Sequence, residues 1–258
     1  MHNFVFEKPS TVADAVAALA SEDAQALGGG QTLLPTMRQR LASPAKLVSL
    51  SGIAEMKEIG RSGGALRVGG GVTHSDVAAG GHGSLSTLAG NIGDPAVRNR
   101  GTLGGSLANN DPSADYPAAA LVSGATINTN ARSIAADDFF AGIFTTSLND
   151  GEIIVSVDFP VPDASCYKKF EQPASRFALV GVYVAKYGDS VRVAVTGASE
   201  DGVYRWTEAE TALTENFSAD ALDGLSVSAD GMISDLHGTP EYRANLVKVL
   251  TARAVAEC

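Results

Sequence analysis

Glycine clusters constrain this chain more than any other feature of its sequence. Gly28, Gly29 and Gly30 follow the apolar stretch Ala24–Leu27, Gly69, Gly70 and Gly71 follow residues 65–68, and Gly101, Gly104 and Gly105 lie within residues 90–110. Consecutive glycines weaken a helix or strand interior, so each cluster has to end an element. They also remove Cβ atoms where backbone comes close to a ligand or to another segment. The 28 glycines exceed ordinary usage, but their clustering carries more meaning than their number.

Around the first cluster the pattern reads strand, helix, strand, glycine loop, helix, strand. Residues 4–6 are short and apolar, and Thr11 with Asp14 frames a capping-box start for a helix carrying Val12, Val16 and Leu19. Ala24–Leu27 reads as a buried strand, residues 33–41 as a helix ending before Ser43 and Pro44, and residues 46–50 as a strand. From Ser51 a second lobe is expected, with a strand at 65–68, a capped helix opening at Thr73 with Asp76, and a strand at 152–159 before Pro160 and Pro162. Beyond it, residues 177–186 and 191–196 read as strands joined by a hairpin at Gly188-Asp189, and Thr239-Pro240 opens a helix over 241–256. At 258 residues the chain exceeds what one core usually organises. Three units are expected: 1–50, 51–160 and 161–258.

With 19 Lys and Arg against 29 Asp and Glu, the chain has a net charge of −10, which repels phosphate backbones and anionic lipid. No stretch approaches the roughly 18 apolar residues of a membrane span, and the start MHNFVFEKPS lacks a leader pattern. Neither nucleic acid nor membrane insertion is expected, and the location is expected to be cytoplasmic. Cys166 and Cys258 cannot supply the four thiolates of an ordinary iron–sulfur cluster, and no disulfide between them is expected. His2, His74, His82 and His237 lack metal-ligand spacing, so solvated or capping roles are expected of them.

Residues 27–35, LGGGQTLLP, lie between a strand and a helix, where backbone N–H groups could face a diphosphate. The stretch matches neither G-x-G-x-x-G, since Leu33 stands three beyond Gly30, nor a P-loop. Alone, it is equally an ordinary glycine turn. Residues 92–117 set Thr, Ser, Asn and Asp beside glycines, offering amides for phosphate oxygens and polar side chains for sugar hydroxyls. The plainer reading is a long surface loop, although long loops inside a domain tend to be functional.

At these two stretches the chain resembles the FAD-binding medium subunits of the molybdenum hydroxylases, which carry Ala/Gly-Gly-Gly-Gln-Ser/Thr-Leu and Thr-x-Gly-Gly-Ser/Asn-x-Ala-Asn loops. Both occur here in that order, and residues 92–119, 137–146 and 172–185 look most like the aerobic carbon monoxide dehydrogenase branch. The likeness runs over nearly the whole chain, through EYRANLVKVLTARAV. It implies an α+β chain with a vanillyl-alcohol-oxidase-type FAD fold of two α/β lobes, followed by an antiparallel sheet with helices. On this resemblance, Gly28, Gly29, Gly30, Gln31 and Thr32, together with Thr102, Leu103, Gly104, Gly105 and Ser106, would hold the FAD diphosphate. Asp115 would bind ribityl or ribose hydroxyls, Ile92 and Ile153 would line the adenine or flavin pocket, and Lys169 would face the flavin edge. The chain departs from the family at residues 78–88, which are shorter and richer in glycine, and at Gly28, where many relatives have Ala.

The resemblance also implies a division of labour. Flavin takes electrons one or two at a time and suits a relay, so this chain would pass electrons from an iron–sulfur small subunit, fed by a molybdopterin large subunit, to an external acceptor. The assembly would be a dimer of heterotrimers, and this chain would contribute neither a metal ligand nor a substrate-oxidising residue. One alternative is a self-contained FAD oxidase or dehydrogenase, for which Tyr183 offers a stacking group but no His/Tyr/Arg cluster is evident. The other is a non-catalytic nucleotide-binding assembly module.

Overall fold

The computed structural model describes residues 1–258. Its first part comprises β1 (Val5–Glu7), α1 (Val12–Leu19), β2 (Ala24–Leu27), α2 (Leu33–Arg38) and β3 (Lys46–Ser49), with the strands in a parallel sheet of order β1-β3-β2. Thr11 caps α1: its Oγ1 accepts from the Asp14 amide and donates to the Asp14 carboxylate at 2.7 Å. Ala15 and Leu19 then pack on Val48, Ile53, Met56 and Ile153. The second helix ends three residues before the expected 41. Arg40 turns left-handed with φ 63°, and the Leu41 amide reaches back to the Thr36 carbonyl, which closes the last turn.

The second part contains β4 (Ile59–Ser62), β5 (Ala65–Gly69), α3 (His74–Ala79), α4 (Ser84–Gly90), α5 (Pro95–Arg98), α6 (Leu103–Asn109), α7 (Tyr116–Ser123), β6 (Thr126–Thr129), β7 (Ser133–Ala135), α8 (Ala136–Phe139), β8 (Phe140–Gly142), β9 (Thr145–Thr146) and β10 (Ile154–Pro160). An antiparallel sheet runs β4-β5-β10-β6-β7. Residues 92–117, for which a long loop was the plain reading, instead fold into α5, capped by Asp94, and α6, capped by Thr102. The glycine-rich departure at 78–88 separates α3 from α4. Helix α7 is apolar nearly all round, with Tyr116 to Val122 buried, because it lies between two sheets.

The second of those sheets is an antiparallel meander of β11 (Ala164–Glu171), β12 (Ala178–Tyr187), β13 (Ser190–Ser199) and β14 (Gly202–Arg205). The expected hairpin joins β12 to β13, with Gly188 at φ 56°. Side chains alternate across the sheet. Tyr167, Tyr183, Ala185 and Ala194 join the core around α7, whereas Val182, Val184, Val193 and Val195 pack under α9 (Thr207–Glu215) and α10 (Pro240–Glu257). Tyr183 is therefore a core residue 5.8 Å from the Tyr167 ring, not a stacking group for a flavin. The buried face of α10 includes Arg243, whose guanidinium donates to the carbonyls of Leu179 and Gly197 and to Asp235. No helix is long and apolar enough to cross a membrane.

Candidate cofactor site

Strand β2 delivers the chain into Gly28, and Gly30 turns left-handed with φ 74° before α2 begins. Along this turn the amides of Gly28, Gly29, Gly30, Gln31, Thr32 and Leu33 donate to no backbone carbonyl. Six successive free donors form a concavity suited to an anion.

The second glycine stretch behaves differently from the expectation that its amides face the ligand. The Leu103 amide donates to Val72 at 3.0 Å, the Gly104 amide to Gly70 at 2.9 Å, and the Gly105 amide to Thr102 Oγ1 at 3.1 Å. The Leu103 side chain is fully buried in the core. Thr102, Gly105 and Ser106 line the site itself. Two of the glycines are required by the protein rather than by a ligand: a Cβ on Gly29 would fall 2.0 Å from the Arg100 carbonyl oxygen, and one on Gly104 would fall 2.7 Å from that of Gly70. On Gly28 or Gly105 it would press on Thr102 Oγ1 at 2.9 Å.

Two cavities meet where these loops touch, sharing Gly28, Gly29, Thr102, Gly105 and Ala108. The larger, about 510 Å³, includes Gly30, Gln31, Thr32, His74, Ile92, Ser106 and Asp115. The smaller, about 320 Å³, includes Lys57, Arg100, Gly104, Glu152 and Ile153. A ligand with a bulky end, a smaller end and an anionic middle fits this outline.

Residues 2–162 match the family described as the FAD binding domain in molybdopterin dehydrogenase. The chain belongs to this family. It is 34% identical over 98% of its length to the nicotine 6-hydroxylase medium subunit of Paenarthrobacter nicotinovorans, 96% of which is covered. It is 30% identical, with coverage of 98% and 96%, to the carbon monoxide dehydrogenase medium chain of Afipia carboxidovorans. Among solved structures it resembles quinoline 2-oxidoreductase from Pseudomonas putida 86 (TM-score 0.88, 31% identity, covering 99% of this chain and 96% of that one). It also resembles reconstituted CO dehydrogenase from Oligotropha carboxidovorans (TM-score 0.91, 29% identity, 99% and 97%). The chain is an FAD-binding medium subunit of the molybdenum hydroxylase type, part of an oxidoreductase, and the two joined cavities fit that cofactor.

Within this molybdopterin-dehydrogenase FAD domain, the expected residues converge on the cavities with two exceptions, Leu103 and Lys169. Lys169 lines neither cavity. Its side chain is only 2% exposed, and its ammonium bonds Asp115 at 2.9 Å and the Asn91 carbonyl at 3.0 Å. Tyr167 donates to the same carboxylate at 2.6 Å. Burial pushes the Asp115 carboxyl up, opposed by the charge of Lys169 and by bonds from Tyr167 and Lys169. In the smaller cavity, burial works against the Glu152 carboxylate, but bonds from Arg132, the Asn149 amide and Thr129 outweigh it and hold it down to about 2.

His74, expected to be solvated or capping, instead lines the larger cavity while 5% exposed. Its Nδ1 is buried without a partner, as is the hydroxyl of Tyr116, whose ring lies 5.3 Å away. Burial, then the charge of Arg98, pushes the imidazole down to about 4. Ser175, Arg176 and Phe177 close one side of the same cavity from the β11–β12 loop, where Arg176 has φ 60°. The sequence carries no local sign of the closing loop, and the one signal for His74 is its place just after the glycines 69–71.

Proposed function

We propose that this chain is the flavin station of a three-subunit hydroxylase. It takes electrons from an iron–sulfur small subunit, which a molybdopterin large subunit supplies, and hands them to an external acceptor. The observation that carries the reading is the junction of the two cavities, where six unpaired amides stand against Thr102. There Gly28, Gly29, Gly30, Gln31 and Thr32 would cradle the diphosphate, and Thr102, Gly105 and Ser106 would contribute hydroxyls and close approach. The isoalloxazine and ribityl end would take the larger cavity, with Ile92 against it and Asp115 on its hydroxyls. The adenosine end would take the smaller cavity, against Ile153. When bound, the flavin supplies one- and two-electron exchange.

Lys169 supports this site from behind by fixing the Asp115 carboxylate, and Gly104 supports it by packing on Gly70. The three larger sheets support a division at 1–50, 51–160 and 161–258, and the complex is inferred to be a dimer of heterotrimers. Its substrate lies in the class spanned by the relatives, from carbon monoxide to aldehydes and N-heterocycles. The test is anaerobic mixing. The isolated FAD-loaded chain is expected to keep its oxidised spectrum with carbon monoxide, nicotine or aldehydes, and to bleach with the cognate substrate only when both partner subunits are added. Bleaching without partners would overturn the relay and favour a self-contained dehydrogenase.

A further inference from the structure

A diphosphate brings two negative charges into a chain whose own net charge is −10, so the junction needs local positive charge. Backbone amides supply only partial charges. Of the acids in the larger cavity, Asp115 is already paired with Lys169 at 2.9 Å, and Asp111 stands against a single guanidinium, that of Arg176 on the far β11–β12 loop. The smaller cavity is left the more positive of the two. Lys57 and Arg100 line it, and its one carboxylate, Glu152, is already neutralised by Arg132 at 3.1 Å.

The Arg100 backbone is fixed in position at the junction. Its carbonyl fills the space of the missing Gly29 Cβ, and its amide is bonded to Val97 at 3.1 Å. Two residues before it, the Arg98 guanidinium is committed to the Ile92 and Gly93 carbonyls at 3.0 and 2.9 Å. The Arg100 guanidinium, by contrast, has neither an ion pair nor a hydrogen bond within the protein, and the residue that carries it lines a cavity that opens on Gly28, Gly29 and Thr102. A planar, permanently charged fork is the side chain best matched to phosphate oxygens.

We propose that Arg100, backed by Lys57, is the countercharge of the cofactor diphosphate, and that this pair makes the site select phosphorylated flavin over riboflavin. The inference rests on the placement of FAD proposed above and adds the charge that the glycine loops lack. It assigns the smaller cavity affinity of its own for an adenine nucleotide diphosphate.

The test strips the full-length chain of flavin and titrates it with FAD, ADP and riboflavin at low and high sodium chloride. Arg100→Gln is expected to weaken FAD and ADP roughly tenfold and to flatten the salt dependence, while leaving riboflavin within about twofold. Arg100→Lys should recover part of the loss, Lys57→Gln should give a smaller loss of the same pattern, and Arg61→Gln should give none. An equal loss for riboflavin would show damage to cavity shape rather than a missing charge and would overturn the assignment. Unchanged FAD affinity and salt slope in Arg100→Gln would overturn it too. These outcomes leave the cofactor site itself standing, whereas a parent chain that takes up no FAD would overturn the site and this inference with it.

Discussion

Lys169 and Asp115 form an ion pair at 2.9 Å, with side chains 2% and 4% exposed, at the wall of the larger cavity. Fifty-four residues separate them, and neither is solvated enough to stand alone as a charge. The ammonium is therefore a positioning group. It fixes the carboxylate that lines the cavity by donating to Oδ2, while Tyr167 donates to Oδ1.

Removing one partner of this pair should cost far more than removing both. Lys169→Met leaves a buried carboxylate uncompensated and is expected to cost about 3–5 kcal/mol. The double variant Lys169→Met with Asp115→Asn should recover much of it, because the amide carries no charge to strand. Urea unfolding of the chain and both variants measures this. A single variant within about 1 kcal/mol of the parent would mean that water already shields Asp115.

His74 should make stability depend on pH in a defined window. Its imidazole is pushed from an ordinary 6.5 down to about 4 in the fold. Below pH 6.5 the unfolded chain takes up a proton that the native chain refuses, so stability falls as pH drops, and the fall ends near the folded value. The total is roughly 3 kcal/mol. In flavin-free protein, unfolding midpoints of the parent and His74→Gln should run parallel above pH 7 and converge or cross toward pH 4. Curves that stay parallel throughout would show that His74 is hydrated in the fold.

The glycines of the two loops should separate into two classes. Gly29→Ala and Gly104→Ala drive a methyl into the backbone at Arg100 and Gly70. Each should lower stability by about 1–3 kcal/mol, several degrees in Tm, along with FAD retention. Gly105→Ala meets only the Thr102 hydroxyl that caps α6, so it should release FAD with a smaller loss of melting temperature in the flavin-free chain. Thermal melts with and without flavin distinguish the classes. Equal melting losses in all three variants would remove the distinction.

FAD should be held without a covalent bond. Cys166 and Cys258 line neither cavity, and the one histidine that does, His74, is buried beside Gly101, with its Nδ1 enclosed. Acid denaturation followed by centrifugation should leave the yellow colour in the supernatant. Flavin that stays with the precipitated polypeptide would overturn this expectation and place the ring against His74.

Much of the local structure was legible from residue order because its causes act over a few residues. Thr11, Thr73 and Thr239 each cap a helix through the amide three positions on, and Gly188 turns the β12–β13 hairpin with positive φ. Both glycine loops were located, and the family they suggest is the one to which the chain belongs. Their internal roles could not be read the same way. Whether an amide faces a ligand or a neighbouring carbonyl depends on what packs behind it, and for Leu103 and Gly104 that is Val72 and Gly70. Strand β11 escaped notice because its sequence, ASCYKKFE, mixes charge with apolar residues, and it is recognisable only once paired with β12. The burial of His74, the retreat of Lys169 behind Asp115 and the placement of Tyr183 in the core all arise from contacts between segments distant in the chain. Sequence order determined where backbone had to turn and where helices could start, since capping and glycine conformation are local energies. Only the tertiary structure decided which polar atoms were left unpaired around the cavities, since that is what remains after every other donor and acceptor has found its partner.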